Sequence, residues 1–185
     1  MKTTLEHIAI IQTGIFAKPV PEGEIVYLQA KHFDENGLLA SSLHPDLKSE
    51  IISEKHLLQP GDVLFASKGT RNFAAWYESK KPPAVASTSF FVIRLQSNLV
   101  IPEYLAWYLN NPYTLKILKG RAIGTSIVSI SKTVLENLEI SVPELNTQQI
   151  ILKINKLQIR EKSLMHQIEI LNEKKIQQQI FDALK

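Results

Sequence analysis

The residues best placed to do chemistry in this sequence sit in glycine-containing loops crowded with polar donors. One such loop is Ser67–Trp76 (SKGTRNFAAW). Arg71 offers a forked donor set that matches two acceptors on a guanine edge. Asn72 offers the donor–acceptor pair that matches adenine. Lys68 and Thr70 suit phosphate oxygens, and Gly69 permits close backbone approach. A second loop, Lys119–Ser126 (KGRAIGTS), carries Arg121, Thr125 and Ser126. Lys80-Lys81 and Lys31-His32 add cations and donors beside these. Plainer readings compete at each place. Arg71 can simply be solvated, Arg121 can complement the carbonyl end of a preceding helix, and Lys80 and Lys81 can be ordinary surface. Trp76 and Trp107 read as core residues rather than stacking platforms.

Other chemistries find no support. No GxxxxGK[ST] or GxGxxG phosphate loop occurs, and no serine sits in a GxSxG elbow. His7, His32, His44, His56 and His166 never fall into a metal-ligand spacing, and read as surface or packing residues. Two stretches imitate catalytic motifs. Asn111-Pro112-Tyr113 resembles an amino-methyltransferase motif but lacks its second proline and any upstream glycine-rich cofactor loop. It reads as a break between two helical segments. Pro45-Asp46 with Glu50 and Lys55 resembles a metal-dependent nuclease site without the carboxylate and lysine two apart. No catalytic residue and no metal ligand is expected.

Composition sets the frame for these residues. The chain has 185 residues, 44% hydrophobic and 21% charged, with no cysteine. That suits one domain with a real core plus an extension, and excludes disulfides and thiolate metal sites. The N-terminus lacks a signal-peptide layout, and no run approaches the roughly 20 apolar residues of a membrane helix. A cytoplasmic protein without membrane contact is therefore expected. The net charge of +3 is unevenly spread. Residues 1–145 hold 14 Lys/Arg and 14 Asp/Glu, whereas residues 146–185 hold 7 and 4. A globular part with no net charge is not an obvious nucleic-acid binder, so any DNA site must come from local clusters.

The elements that must position these loops follow from the pattern. Glu24–Leu28, Val63–Ala66 and Phe90–Leu95 are short runs rich in β-branched and aromatic residues, and Gly and Pro punctuate them. Residues 1–99 thus read as a sheet with long connections. Pro102 opens a helix that breaks near Pro112 and stops at Gly120. A short helical stretch at Val134–Leu138 and a short strand at Leu138–Val142 follow. Asn146 can cap a final helix, with Gln149 reaching back and Leu145 and Ile150 forming a staple. From there to Lys185 neither Gly nor Pro occurs. Ile150, Ile154, Leu157, Leu164, Ile168 and Leu171 follow a 3–4 spacing, which Ile176, Ile180 and Leu184 continue after a phase shift. About 39 helical residues span roughly 58 Å. Such a helix is expected to project and to pair as a coiled coil through this stripe. The alternatives are a solvated tail helix or one folded back on its own domain.

Several stretches in order resemble the specificity subunits of type I restriction–modification enzymes. They are Leu5–Gly14 (LEHIAIIQTG), Tyr27–Leu39 (YLQAKHFDENGLL), Leu57–Thr70 (LLQPGDVLFASKGT), Ala84–Leu95 (AVASTSFFVIRL), Ile101–Pro112 (IPEYLAWYLNNP), Gly124–Pro143 (GTSIVSISKTVLENLEISVP) and Pro143–Ile151 (PELNTQQII). The last differs from the family's "PPLxEQxxI", with Glu144 for the second proline and Thr147 for the glutamate, while Gln148 is kept. A complete specificity subunit resembles two such units in tandem, and this chain resembles one.

The resemblance implies an α+β fold. A target-recognition domain with a mixed or antiparallel sheet would span residues 1–144, and a long dimerisation and spacer helix residues 145–185. It implies a non-catalytic chain that reads double-stranded DNA, homodimerises, and holds type I methyltransferase (modification) subunits, which a restriction subunit can join. No cofactor is expected on this chain; S-adenosylmethionine, ATP and Mg belong to the partner subunits. A two-fold dimer would read a split palindromic site, its half-sites on the order of one to two DNA turns apart at roughly 34–36 Å per turn. Two other functions remain open on the residues alone. One is a protein–protein scaffold that never meets DNA, favoured by the balanced charge of residues 1–145. The other is a methyltransferase or nuclease, disfavoured by the missing cofactor loop.

Overall fold

The computed structural model describes residues 1–34, 37–39, 43–69, 71–78, 83–121 and 129–184. The chain divides into two compact units, Met1–Leu145 and Asn146–Lys185. The strands are β1 (Lys2–Thr4), β2 (Ala9–Thr13), β3 (Val26–Leu28), β4 (Val63–Ala66), β5 (Ala74–Trp76), β6 (Ala84–Ala86), β7 (Phe90–Leu95) and β8 (Glu139–Ser141). The helices are α1 (Pro102–Asn110), α2 (Pro112–Gly120), α3 (Lys132–Glu136) and α4 (Leu145–Asp182). The fold is α+β, as expected, and its strand pairing is mixed. A four-stranded antiparallel sheet runs β2-β7-β4-β5, β3 pairs with β6 in parallel, and β1 pairs with β8 antiparallel.

The central strands β4 and β7 fall on the two richest apolar runs. All four residues of β4 and the first four of β7 are buried, as continuous apolar strands covered on both faces require. Between them and the parallel pair lies a core containing Phe33, Phe73 and Phe90 together with Val26, Leu64 and Val92. The three phenyl rings pack with centroids 5.5 to 5.9 Å apart in tilted and edge-on arrangements, the geometry their quadrupoles favour. The expected strand at Glu24–Leu28 shortens to Val26–Leu28. Ile25 instead makes an isolated bridge with Leu47, and the Glu24 carboxylate accepts the Ser49 N–H at 2.8 Å.

Two polar clamps tie this sheet together. Asp62 is 1% exposed, and its carboxylate receives Arg94 Nε at 2.8 Å and Nη2 at 2.7 Å. It also accepts the Gln59 N–H at 2.8 Å, while Arg94 donates onward to the Leu57 carbonyl. The fork and the carboxylate thus join the entry of β4 to the far end of β7, and the hydrogen bonds that Arg94 donates to Asp62 strengthen its hold on its proton. On the edge strand β5, the Asn110 side chain acts as a surrogate neighbour. Its Oδ1 accepts from Ala74 N at 2.8 Å, and its Nδ2 donates to Ala74 O at 2.7 Å. One helix side chain thereby satisfies backbone groups that an edge leaves open.

The break between α1 and α2 lies at Asn111-Pro112. Asn111 is extended, as a residue before proline prefers, and its side chain accepts the Tyr113 N–H at 2.9 Å to cap α2. The short helix expected at Val134–Leu138 begins earlier, at Lys132, because Ser131 caps it by accepting from Val134 N at 3.3 Å. The strand expected at Leu138–Val142 is Glu139–Ser141. It pairs with β1, placing Thr3 opposite Ile140.

The second unit is helix α4, 38 residues or about 57 Å long at 1.5 Å per residue. It begins at Leu145, so Asn146 lies inside the first turn rather than at the cap. First-turn N–H groups lack intrahelical partners there, which makes that turn tolerant of a short polar side chain. In the single chain Ile150, Ile154, Leu157, Leu164, Ile168, Leu171, Ile176, Ile180 and Leu184 are 47% to 80% exposed. Among the described residues no helix is long and apolar enough to cross a membrane.

Candidate nucleic-acid interface

Strand polarity decides which loops of the first unit share an edge. β2 and β4 both run antiparallel to β7, with Thr13 opposite Phe91 and Ala66 opposite Phe90. Their C-terminal ends therefore leave the sheet beside the start of β7. β3 and β6 run parallel, with Leu28 opposite Ala86, and their ends join the same edge. Ser87 N donates to Leu28 O at 2.9 Å, and Ile15 pairs with Ser87 in a parallel bridge. Ile130 N donates to Ser67 O at 3.0 Å, which brings the start of the Ile130–Ser131 approach to α3 onto this edge as well.

Ser67 is the knot of this arrangement. It is 1% exposed, its N–H donates to Ser89 O at 2.9 Å, and its hydroxyl reaches the same carbonyl at 3.3 Å. The Ser87 and Ser89 hydroxyls lie 2.7 Å apart. A buried hydroxyl needs such partners, so this serine cluster fixes the root from which the loop after β4 departs.

The expected contact residues fall into three groups. Lys31, Lys68, Gly69 and Arg71 are exposed on loops that leave this edge. Gly69 is exposed and adopts φ +113°, with nothing within 4 Å of where a Cβ would stand, a backbone that favours glycine. The Arg71 guanidinium donates to the Asp34 carbonyl and sits 4.8 Å above the Phe73 ring. These contacts fix the direction of its fork while leaving it exposed. Arg121 is exposed at the end of α2, where its N–H closes the last turn onto Leu118 O at 3.2 Å. Thr70, Lys80, Lys81, Thr125 and Ser126 lie outside the described residues.

Two residues are engaged inward. Asn72 is 5% exposed, and its Nδ2 donates to Ala66 O at 3.0 Å. The amide that matches an adenine edge here closes the β4–β5 hairpin. His32 is partly buried, and its Nδ1 accepts from Gln29 N at 3.2 Å in a capping arrangement. Burial, and secondarily the neighbouring Lys31, push its pKa below the usual imidazole value, against a smaller opposing pull from Asp46. The ring is therefore neutral near pH 7 and buttresses the turn that presents Lys31. Trp76 and Trp107 are half-buried.

Sequence reasoning missed Lys18, exposed in the loop after β2, and the Ser87-Thr88-Ser89 turn. The signal available for the latter was a hydroxyl run between two strands. The motifs that imitate catalysis are structural. Asn111 caps α2, and Asp46 accepts the Tyr27 N–H at 2.8 Å. Among the described residues no cluster of three or more His, Cys, Asp or Glu could hold a metal ion.

Comparison with known proteins places this fold. Among solved structures, the HsdS subunit from Thermoanaerobacter tengcongensis matches with a TM-score of 0.68 at 22% identity, covering 90% of this chain and 44% of that one. The S subunit of a type I restriction-modification system from M. genitalium matches with a TM-score of 0.58 at 17% identity, covering 88% and 39%. A structure describing complex assembly and conformational transition of the type I R-M system matches with a TM-score of 0.64 at 16% identity, covering 89% and 39%. The chain thus spans about two fifths of the length of these structures, and at such identities the likeness is one of fold. No curated protein sequence matches it. A family model described as type I restriction modification DNA specificity domain matches residues 18–180. With most of its length matched by that model, the chain belongs to the type I restriction modification DNA specificity domain family.

Proposed function

We propose that this chain is a sequence-specific DNA-recognition subunit of a type I restriction–modification system, without catalysis of its own. The observation that carries this reading is the convergence of the β2, β3, β4 and β6 ends on one edge, where Lys18, Lys31, Lys68 and Arg71 are exposed. Net charge is balanced over residues 1–145, but the cations gather locally, which is what phosphate contact needs. Lys68, Lys31 and the N–H groups around Gly69 then hold phosphates, and Arg71 reads a base edge. Thr70, Lys80, Lys81, Arg121, Thr125 and Ser126 extend the surface, while Asn72 and His32 shape it from within.

Helix α4 carries the other functional surface. Its exposed apolar stripe supports pairing with a second copy, so that two recognition units read a split palindromic site. The helix then sets the half-site separation and offers a surface to methyltransferase subunits, which use S-adenosylmethionine as methyl donor, while ATP and Mg also belong to partner subunits. The protein works inside the cell, where its DNA is.

The test uses the chain assembled with its modification subunits. Affinity for the duplex site should fall with salt along a log–log slope set by the number of phosphates held, and competitor DNA of altered sequence should bind far more weakly. Binding insensitive to both salt and sequence would favour the protein–protein scaffold that the balanced charge of residues 1–145 also suggests.

A further inference from the structure

The loop after β2 carries a side chain that the site described so far leaves unused. Phe16 is 77% exposed, more than any other phenylalanine of the described residues. The backbone presenting it is held on both sides. The buried Tyr27 hydroxyl donates to Ile15 O at 2.9 Å and accepts the Ala17 N–H at 3.4 Å. Ile15 N donates to Ala86 O at 2.8 Å, and Gly14 N donates to Phe90 O at 3.0 Å. Gly14 has no room for a side chain, since a Cβ there would meet Ser87 O at 2.1 Å. The ring therefore stands out from a pinned backbone, not from a slack loop.

The surroundings narrow the choice of occupant. Ile15 and Ala17 on either side are half-buried and pack against the core, and the exposed residues closest in sequence are Thr13, Lys18 and Pro19, so Phe16 is a single exposed ring with a cation two residues away and not part of a run of exposed large apolar side chains. The loop leaves the sheet on the edge that carries Lys68 and Arg71. β2 and β4 flank β7, which puts their ends two strand spacings, about 10 Å, apart. An isolated apolar ring beside cations suits a nucleic-acid base, whose flat face stacks whatever its identity. Apolar side chains held rigidly at such surfaces also wedge into base steps and unstack them.

On the DNA-recognition reading given above, we infer that Phe16 packs against an opened base step at the margin of each half-site, with Lys18 on the adjoining phosphate. Part of the sequence preference then comes from how readily that step opens.

The test uses the chain assembled with its modification subunits and a duplex site carrying 2-aminopurine at successive positions. Wild type should raise fluorescence at one step. F16A should abolish that rise and weaken binding about 10-fold, with the salt slope unchanged because no phosphate contact is lost. F16W should keep both properties. Because the ring is exposed, the melting temperature of F16A should match wild type. If wild type binds the site and F16A retains full affinity and the fluorescence rise, the inference about Phe16 falls while the DNA reading stands. If F16A instead sheds the modification subunits with DNA affinity per assembled complex intact, the ring is a protein-docking residue and the inference is overturned. If the wild-type assembly fails to bind any site with sequence preference, the DNA reading falls, and the inference with it.

Discussion

The two units of this chain resolve the same problem in opposite ways. The Met1–Leu145 unit closes its own polar accounts: no buried side-chain nitrogen or oxygen among the described residues lacks a partner, and its buried apolar groups pack into clusters such as that around Phe33, Phe73 and Phe90, with Phe16 left bare. The helix unit leaves nine stripe residues at 47% to 80% exposure. A helix with that much bare apolar surface gains its stability from a surface outside itself. The contrast separates two tasks: a self-sufficient scaffold that points loops in fixed directions and, on the proposed reading, an element completed by another chain.

The contrast can be broken from either side. The largest effect is expected within the first unit. D62A removes one partner of a buried ion pair and strands Arg94, which should destabilise the fold by about 3–5 kcal/mol, read as a lowered urea midpoint. A smaller loss would mean that the β4–β7 clamp is not what holds the sheet. In the second unit, I168E puts a charge into the stripe and should weaken self-association by about 100- to 10,000-fold, since a buried isoleucine contributes about 1.5–3 kcal/mol in each of the two chains. Sedimentation measures this. Urea unfolding of the first unit should be untouched, and a parallel loss there would deny that the units are independent.

Next in size is K68A. It should lower DNA affinity uniformly across sequences and reduce the salt slope by about 1, whereas R71A should also relax preference at one base pair. Equal effects of both variants on all sequences would reduce Arg71 to a phosphate contact. The smallest effect concerns His32. Its folded pKa lies below the usual imidazole value because burial disfavours the cation, so the unfolded chain takes up the proton first as pH falls. The His32 contribution is therefore present above about pH 6.5 and is lost as pH drops through that value toward the folded one. H32Q should show a smaller loss of melting temperature than wild type between pH 7.5 and 5.5. An identical loss would place the titrating group elsewhere.

How much of this was legible in the sequence depended on how local the cause was. β4 and β7 were found at their observed limits because a continuous apolar run bounded by turn residues needs no distant information. Helix α4 was legible for the same reason: spacing, and forty residues without Gly or Pro, act within a few turns. β1 and β8 are three residues each, and their register, Lys2 opposite Ser141, comes from opposite ends of the unit. Nothing local marks Lys2–Thr4 as a strand. Asp62 lies within the Leu57–Thr70 stretch that carries the family resemblance, yet its role depends on Arg94, 32 residues away. The candidate site was half legible. Residue chemistry pointed to the loop after β4, but the convergence of four strand ends follows from strand polarity, which composition does not encode. Asn72 shows the limit most clearly, since the amide that matches adenine equally well matches a backbone carbonyl, and only the hairpin decides.

On the proposed reading this chain selects a DNA sequence for methylation by its partners, with two copies reading one split site. Sequencing the methylated bases of the host genome with and without this gene tests it most directly. Loss of the gene should erase one motif, made of two half-sites related by two-fold symmetry and separated by a fixed spacer on the order of one to two helical turns. An unchanged pattern of methylation, or the loss of a single continuous motif without symmetry, would contradict it.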